Sequence, residues 1–395
     1  PETGLPEVDE AKCTACGACL SICPKNCISF KSNEEGFLYP HIDIEKCVDC
    51  DLCSKVCFLN DHITPTFREN DISYYAAKAI ERCNLSSSGG IFPLLAESVL
   101  KNDGVVIGAA WDDKFNVKHI LIKSKSELPL LCGSKYIQSN TEKVFKIVKE
   151  HLSIQTVLFS GTPCQVKGLK TFLGKDYDNL ITVELVCHGV PSPLVFRRYL
   201  NGVLKYNNLD ISQCSKINFR EVKDDIYRFV IYNKTKIPFY EQYTNLYTKT
   251  FLQNLFLRNS CYNCKCKLEN SVGDFILGDF WGCRDFYPEF YDPKGVSLVI
   301  VCTERAKKIW LNLKLSRIEV KKKIVFRSNR HLLKSASYNR NRDLFFKTFI
   351  HEAEISLDDI LMGYTNKDIW VKVKGLIISV LRFVGLFQLV QLYRK

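Results

Sequence analysis

Two cysteine runs near the N-terminus, Cys13-x-x-Cys16-x-x-Cys19-x-x-x-Cys23 and Cys47-x-x-Cys50-x-x-Cys53-x-x-x-Cys57, constrain this chain more than any other feature. Three thiolates spaced two residues apart wrap one face of an iron–sulfur cube, and the fourth cysteine of each run crosses to the other cube. The spacing therefore predicts two [4Fe-4S] clusters. Cluster I takes Cys13, Cys16, Cys19 and Cys57; cluster II takes Cys47, Cys50, Cys53 and Cys23. Zinc and disulfide knots also use CxxC pairs, but two four-cysteine runs of matching spacing favour the cubes. Electron transfer is the chemistry implied.

The segment resembles a bacterial-type two-cluster ferredoxin domain. Its first run keeps that family's proline as Pro24; the second has Phe58 instead. We expect a unit over 1–65, built largely from loops around the cubes, followed by a linker over 63–71. The 395 residues leave room for one larger domain with its own core, and 46% hydrophobic content excludes a disordered chain. Eight of nineteen cysteines are assigned to cubes, which are assembled in reducing compartments. Pro1–Pro6 shows no basic region followed by an apolar stretch, so no signal peptide is expected. These features point to a cytoplasmic protein with its other thiols reduced.

The formal charge of +12 is concentrated in 316–347 and in the tail 369–395. No helix-turn-helix, finger or RNP-type motif accompanies it, so nucleic acid is not expected as a partner. A solvated face or an anionic membrane surface suits the basic region better. On a helix, residues 369–395 make an apolar cylinder with a narrow polar stripe, interrupted by Arg382. That pattern suits an interfacial helix in peripheral contact with a membrane, or equally a helix packed on the core or in an oligomer interface.

Beyond Ser73 short apolar runs alternate with helical segments. Strands are expected at Val105–Trp111, Val117–Ile122, Thr156–Phe159, Leu180–Val186, Lys216–Phe219, Arg228–Tyr232, Phe275–Gly278 and Val296–Cys302. Helices are expected at Ile91–Lys101, Thr141–His151, Gln165–Phe172, Pro193–Tyr206, Gln242–Leu257 and Arg305–Lys314. This reads as an α/β domain over 73–315, followed by a basic C-terminal region over 316–395. No GxGxxG opens a βαβ unit, which argues against a nicotinamide-type site.

Several motifs carry chemistry. Ser86-Ser-Ser-Gly-Gly90 precedes a helix, as either a phosphate-binding N-terminus or an ordinary capped start. Gly133-Ser-Lys-Tyr-Ile-Gln-Ser139 alone reads as a polar surface loop. Gly161-Thr-Pro-Cys-Gln165 lies at a strand end where α/β domains place ligands, with Cys164 at the positive end of a helix. Cys187-His-Gly189 ends another strand; His188 is either a proton shuttle or a packed side chain. Cys261-x-x-Cys264-x-Cys266 is a single CxxC, open to zinc or redox exchange. Cys164, Cys187, Cys261 and Cys264 together would supply a third cube if they converge. Gly278-Asp-Phe-Trp-Gly-Cys283 completes the set.

In this order SSSGG, GSKYxQS, GTPCQ, CHGVPSP, SCYNC and GDFWG resemble the beta-subunit family of coenzyme F420-reducing hydrogenases and dehydrogenases, in the bacterial form with an N-terminal two-cluster ferredoxin. The resemblance covers about residues 10–305. It implies an iron–sulfur flavoprotein oxidoreductase with a mixed-sheet flavin-binding α/β domain. FAD would lie on Ser87, Ser88, Gly89, Gly90, Gly133, Ser134, Lys135, Tyr136, Gln138 and Ser139. A third [4Fe-4S] cluster would lie on Cys164, Cys187, Cys261 and Cys264, with Lys135, Tyr136 or His188 handling a proton. Cys83, Cys132, Cys266, Cys283 and Cys302 fall outside the family pattern and are expected to be core or incidental thiols. The implied partners are a ferredoxin or other redox carrier and a small-molecule or lipid-linked substrate. Bacterial relatives in polysaccharide biosynthesis make a sugar or lipid-linked sugar one expectation. The alternatives are an electron-transfer subunit without its own substrate, and a deazaflavin oxidoreductase.

Overall fold

The computed structural model describes residues 8–60, 72–81, 86–223, 226–242, 245–352 and 356–365. The linker, Cys83 and the stretch 369–395 lie outside the described residues, wholly or for most of their length. Among the described residues no helix is long and apolar enough to cross a membrane.

The N-terminal unit is small and loop-rich. Helix α1 (Ala18–Ile22), the antiparallel hairpin β1 (Ile28–Ser32) and β2 (Leu38–Ile42), and the single turn α2 (Leu52–Lys55) carry its cysteines between them. It docks on the larger domain through specific bonds. Thr141 Oγ1 donates to Cys16 O at 2.8 Å, and Gln138 Oε1 accepts the Leu38 N–H at 3.1 Å. At the hairpin turn Ser192 Oγ donates to Glu35 O at 2.5 Å, and Arg342 binds the Glu35 carboxylate through both terminal nitrogens.

The larger domain is organised by a nine-stranded mixed sheet. Its four middle strands, β12 (Phe275–Asp279), β8 (Leu180–Leu185), β7 (Val157–Gly161) and β4 (Val105–Trp111), run parallel. On the β12 side follow antiparallel β13 (Ser297–Val301), β3 (Ser73–Ala79) and β14 (Leu315–Glu319). On the β4 side follow antiparallel β5 (Val117–Ile122) and the two-residue β6 (Ser139–Asn140). The parallel strands read as continuous buried runs because both faces are covered. Helices α3 (Ile91–Leu100) and α9 (Glu304–Asn312) pack on one face around Leu95, Leu158, Val183 and Trp310. Helices α4 (Val144–Leu152) and α5 (Pro163–Leu173) pack on the other around Phe145, Phe159, Val166 and Leu169.

A second layer holds the antiparallel sheet β9 (Cys214–Lys223), β10 (Ile226–Asn233) and β11 (Pro238–Gln242). Its aromatic core joins α6 (Pro193–Tyr206), α7 (Leu246–Leu252), α11 (Arg342–His351) and α12 (Leu357–Thr365). Two short helices, α8 (Cys283–Phe286) and α10 (Lys322–Ser328), cover the β12 end of the large sheet.

Three expectations change. The helix expected over Gln242–Leu257 covers only Leu246–Leu252: the Asn245 side chain caps its start, and Asn254 takes a left-handed φ of 62°. Strand β3 lacks a clean period because it is paired on both edges and buried from both faces. The sheet runs through Leu315–Glu319, so the basic segment after 315 is continuous with the larger domain. Much of that segment is not a solvated face. Arg342 is buried against Glu35, and Arg317 lies 5.2 Å from the Trp310 ring centroid.

Candidate functional site

The C-terminal ends of the parallel strands open into one chamber of about 720 Å³. Gly108 of β4, Ser160 and Gly161 of β7, Leu185 of β8 and Leu277–Asp279 of β12 contribute to its wall. That is where parallel α/β sheets place ligands, because the loops diverge there. Thr14 and Ala15, from the first cysteine run, line the same chamber. The ferredoxin-type unit therefore reaches the cavity directly.

Of the ten residues expected to hold a flavin, nine line the chamber: Ser87, Ser88, Gly90, Gly133, Ser134, Lys135, Tyr136, Gln138 and Ser139. Gly89 lies just behind, with its Cα hydrogen directed at Ala77 O and the Ser297 backbone. The two loops are bonded to each other, Ser134 N–H donating to Ser87 Oγ at 2.8 Å. Some of these side chains are already engaged. Gln138 Oε1 holds the Leu38 N–H of the ferredoxin hairpin. Ser139 Oγ donates to His119 Nδ1 at 2.8 Å, while His119 Nε2 donates to Ser160 O at 3.0 Å. Burial brings His119 down to about 4, so this ring is neutral and serves as a strut. The Tyr136 ring packs 5.1 Å from both Phe219 and Phe251, and burial raises its phenol.

Lys135 lies deep in the protein yet lines the chamber. Its Nζ donates to the carbonyls of Cys132 (2.9 Å), Gly133 (3.1 Å) and Leu131 (3.4 Å), and burial lowers it to about 8. His188 Nδ1 and His331 Nε2 share a hydrogen bond of 2.9 Å, both rings lowered by burial and so neutral. Five buried polar atoms of lining residues lack a partner: Ser88 Oγ, His188 Nε2, Arg220 Nη2, Asp279 Oδ1 and Asn329 Oδ1. Orphaned donors and acceptors of this kind call for a polar ligand, and a flavin with its uracil-like edge, ribityl hydroxyls and phosphates presents both. The chamber fits such a group.

The expected third quartet converges. Burial pushes Cys164 up to about 11, and Cys264 adds to it. Cys261 rises to about 12, through burial and then Cys164 and Cys264. Cys187 is raised by burial and by the other three thiols. Four thiols that disfavour one another's charge need a cation among them. The sequence builds this place locally. Thr162 and Gln165 form a capping box, Pro163 starts α5, and Cys164 follows at its second position. Gly189, at φ 152°, lets the Cys187 loop close on Leu257 and Cys261; a Cβ there would stand 2.7 Å from Leu257 Cδ1. N–H···S bonds reach Cys261 from Val190 (3.3 Å) and Cys264 from Cys266 (3.4 Å). Buried Lys267 donates to Cys187 O at 3.2 Å. Among the described residues no three His, Cys, Asp or Glu side chains close on a single ion. The quartet stays within electrostatic reach, and a cube that takes one thiolate at each of four corners suits it.

The first two sets assemble as spaced. Cys19, raised to about 12 by burial, also feels Cys13 and Cys57, and Cys57 feels Cys13. Cys23, Cys47 and Cys53 gather around Leu20 and Ile28 together with Cys27, whose Sγ lies 3.3 Å from that of Cys23. Of the thiols outside the family pattern, Cys283 is buried in the core, Cys132 lines the chamber, and Cys266 packs beside Cys264.

Sequence reasoning missed Thr14, Ala15, His119, Arg220, Asp279, Trp281 and the stretch Arg327–His331, all in the chamber wall. Asp279 and Trp281 belong to the GDFWG motif, quoted without a role. Arg220 pairs with Asp279 and stacks 4.2 Å from the Tyr227 centroid.

Fold and cysteine sets define an iron–sulfur electron-transfer protein of the oxidoreductase class, and the comparisons with known proteins agree. Residues 12–60 match the 4Fe-4S dicluster domain. Over residues 154–324 the chain belongs to the family described as the C terminus of the coenzyme F420 hydrogenase/dehydrogenase beta subunit. A curated relative, the coenzyme F420-dependent sulfite reductase of Methanocaldococcus jannaschii, is 24% identical over 323 residues, covering 76% of this chain. The chain spans 46% of that relative's length. A chain of the F420-reducing [NiFe] hydrogenase complex from Methanosarcina barkeri superposes with a TM-score of 0.46 and 17% identity, covering 65% of this chain and 89% of that one.

Proposed function

We propose that the chain is an iron–sulfur flavoprotein oxidoreductase. It would take FAD in the chamber and a third [4Fe-4S] cluster on Cys164, Cys187, Cys261 and Cys264, and exchange electrons with a ferredoxin-type carrier. The observation that carries this reading is a convergence. One cavity brings together the cluster I loop at Thr14, the thiols Cys164 and Cys187, and the two polar loops of the family motif. Flavin, when bound, trades single electrons with clusters and hydride with an organic partner.

The remaining work falls to this chain's own groups. Ser86–Gly90, at the start of α3, offers hydroxyls and backbone N–H groups to an anionic moiety. Lys135, pinned by three carbonyls, adds a fixed cation. The neutral His188–His331 pair can hold a proton on its shared bond and pass it through His188 Nε2. Arg220, Arg327 and Arg330 make the wall near His331 basic, which suits a substrate or cofactor bearing negative charge. Sugars and lipid-linked sugars are the organic class to screen first, on the family context.

Lys135 provides the test. Its folded pKa of about 8 lies below the ordinary 10.5, so the free chamber carries the charge below pH 8 and loses it above. FAD affinity should be highest below pH 8 and fall up to about tenfold per pH unit above it, since each unit costs about 1.4 kcal/mol. Lys135→Met should bind FAD weakly with no such slope. A wild-type affinity flat between pH 7 and 10 would remove Lys135 from the site.

A second reading is favoured by the family's own description: a deazaflavin as the organic partner. It predicts that deazaflavin absorbance bleaches on anaerobic mixing with the dithionite-reduced protein, once excess dithionite is removed.

A further inference from the structure

Arg258 has no place in the motifs or in the chamber, yet it is among the most buried large side chains, at 1% exposure. It lies three residues before Cys261, and its carbonyl accepts the Cys261 N–H at 2.9 Å. Its side chain leaves that loop for the ferredoxin unit. Nε donates to Cys13 O at 2.8 Å, Nη1 donates to Leu38 O at 2.9 Å, and the guanidinium stacks 3.9 Å from the Tyr39 centroid. Nη2 is buried without a partner.

No carboxylate lies within salt-bridge distance of Arg258 among the described residues. The acids in this region are otherwise bonded: Glu35 holds Arg342, and Glu10 takes the Asn33 side-chain N–H. A buried guanidinium without a counter-ion is severely destabilising. The anionic groups within its reach are thiolates. Its charge favours ionised Cys164 and Cys261 on one side, and its Nε holds the backbone of Cys13 on the other.

We propose that Arg258 is the shared counter-cation of cluster I and the third cluster. It acts as a positioning residue that raises the reduction potential of both and ties their ligand loops together. The part concerning the third cluster rests on the function proposed above; the part concerning cluster I does not. A reduced cube carries one more negative charge than an oxidised one, so a fixed cation in a low-dielectric interior favours the reduced form. Cluster II, held by Cys47, Cys50, Cys53 and Cys23, has no contact with Arg258 and is the internal control.

The test is a redox titration of the full, anaerobically purified chain, followed by EPR, with Arg258→Gln and Arg258→Lys. For Arg258→Gln, the reduced-to-oxidised ratio of cluster I at fixed potential should fall at least tenfold, about 59 mV for a one-electron couple. The third cluster should fall with it, while cluster II stays put. Arg258→Lys keeps the charge and should hold cluster I near the wild-type midpoint. Unchanged cluster I in Arg258→Gln, or an equal fall of clusters I and II, overturns the proposal. Should Arg258→Gln fail to assemble, Arg258→Lys decides: a cluster I fall of tenfold or more there refutes the charge role. If wild-type protein holds only about eight irons per chain, the third-cluster reading fails, and the cluster I shift still tests Arg258.

Discussion

Replacing Cys261 by serine is expected to lower the iron of anaerobically purified protein from about twelve atoms per chain to about eight, one cube's worth. Cys261 is one of four thiols that meet beside the chamber, and its sulfur accepts the Val190 N–H. Serine keeps the volume but is a poor ligand for iron. Clusters I and II draw on none of these four residues, so their EPR signals should persist. Cys187→Ser should reproduce the loss, whereas Cys283→Ser, buried in the core away from any quartet, should keep all the iron. Loss of iron from Cys283→Ser but not from Cys261→Ser would remove the third quartet from the account.

Gly168→Ala is the second large effect, and its sign is opposite to the usual one. Alanine in place of an interior helical glycine normally stabilises by about 1 kcal/mol. Here the added Cβ would stand 2.7 Å from both Cβ and Sγ of Cys16, a cluster I ligand. Gly168 lies one turn after Cys164 on α5, so this approach is what sets cluster I beside the third quartet. We expect a net loss of about 1–3 kcal/mol from overpacking, and slower electron transfer from cluster I toward the chamber. Gly202→Ala on α6, where nothing lies within 4 Å of the new carbon, should instead gain about 1 kcal/mol. Thermal unfolding of the pair separates the two cases. Equal stabilisation by both would mean that cluster I does not press on α5.

What was legible in the sequence follows physical lines. The ferredoxin-type cysteines announce themselves because cube geometry dictates their spacing over a short stretch of chain. Strands β4 and β5 were found to the residue, since continuous apolar runs end sharply at Asp112 and Lys123. Cys164, Cys187, Cys261 and Cys264 are scattered over a hundred residues, and the family resemblance, not spacing, grouped them. Arg258 was illegible: a single arginine before a CxxC gives no hint that it crosses to another domain's backbone. The basic stretch after 315 misled for the same reason. Charge density reads as solvent exposure unless the partners, Glu35 for Arg342 and the chamber for Arg327–His331, are in view.

The central claim is that a flavin occupies the chamber beside the third thiol quartet. Its most direct test is flavin content per chain in anaerobically purified protein, by release and fluorescence, with iron measured on the same sample. The account predicts close to one FAD per chain alongside about twelve irons. Protein with its clusters in place but no flavin would contradict it, and would leave the chain as an electron carrier whose chamber serves a different ligand.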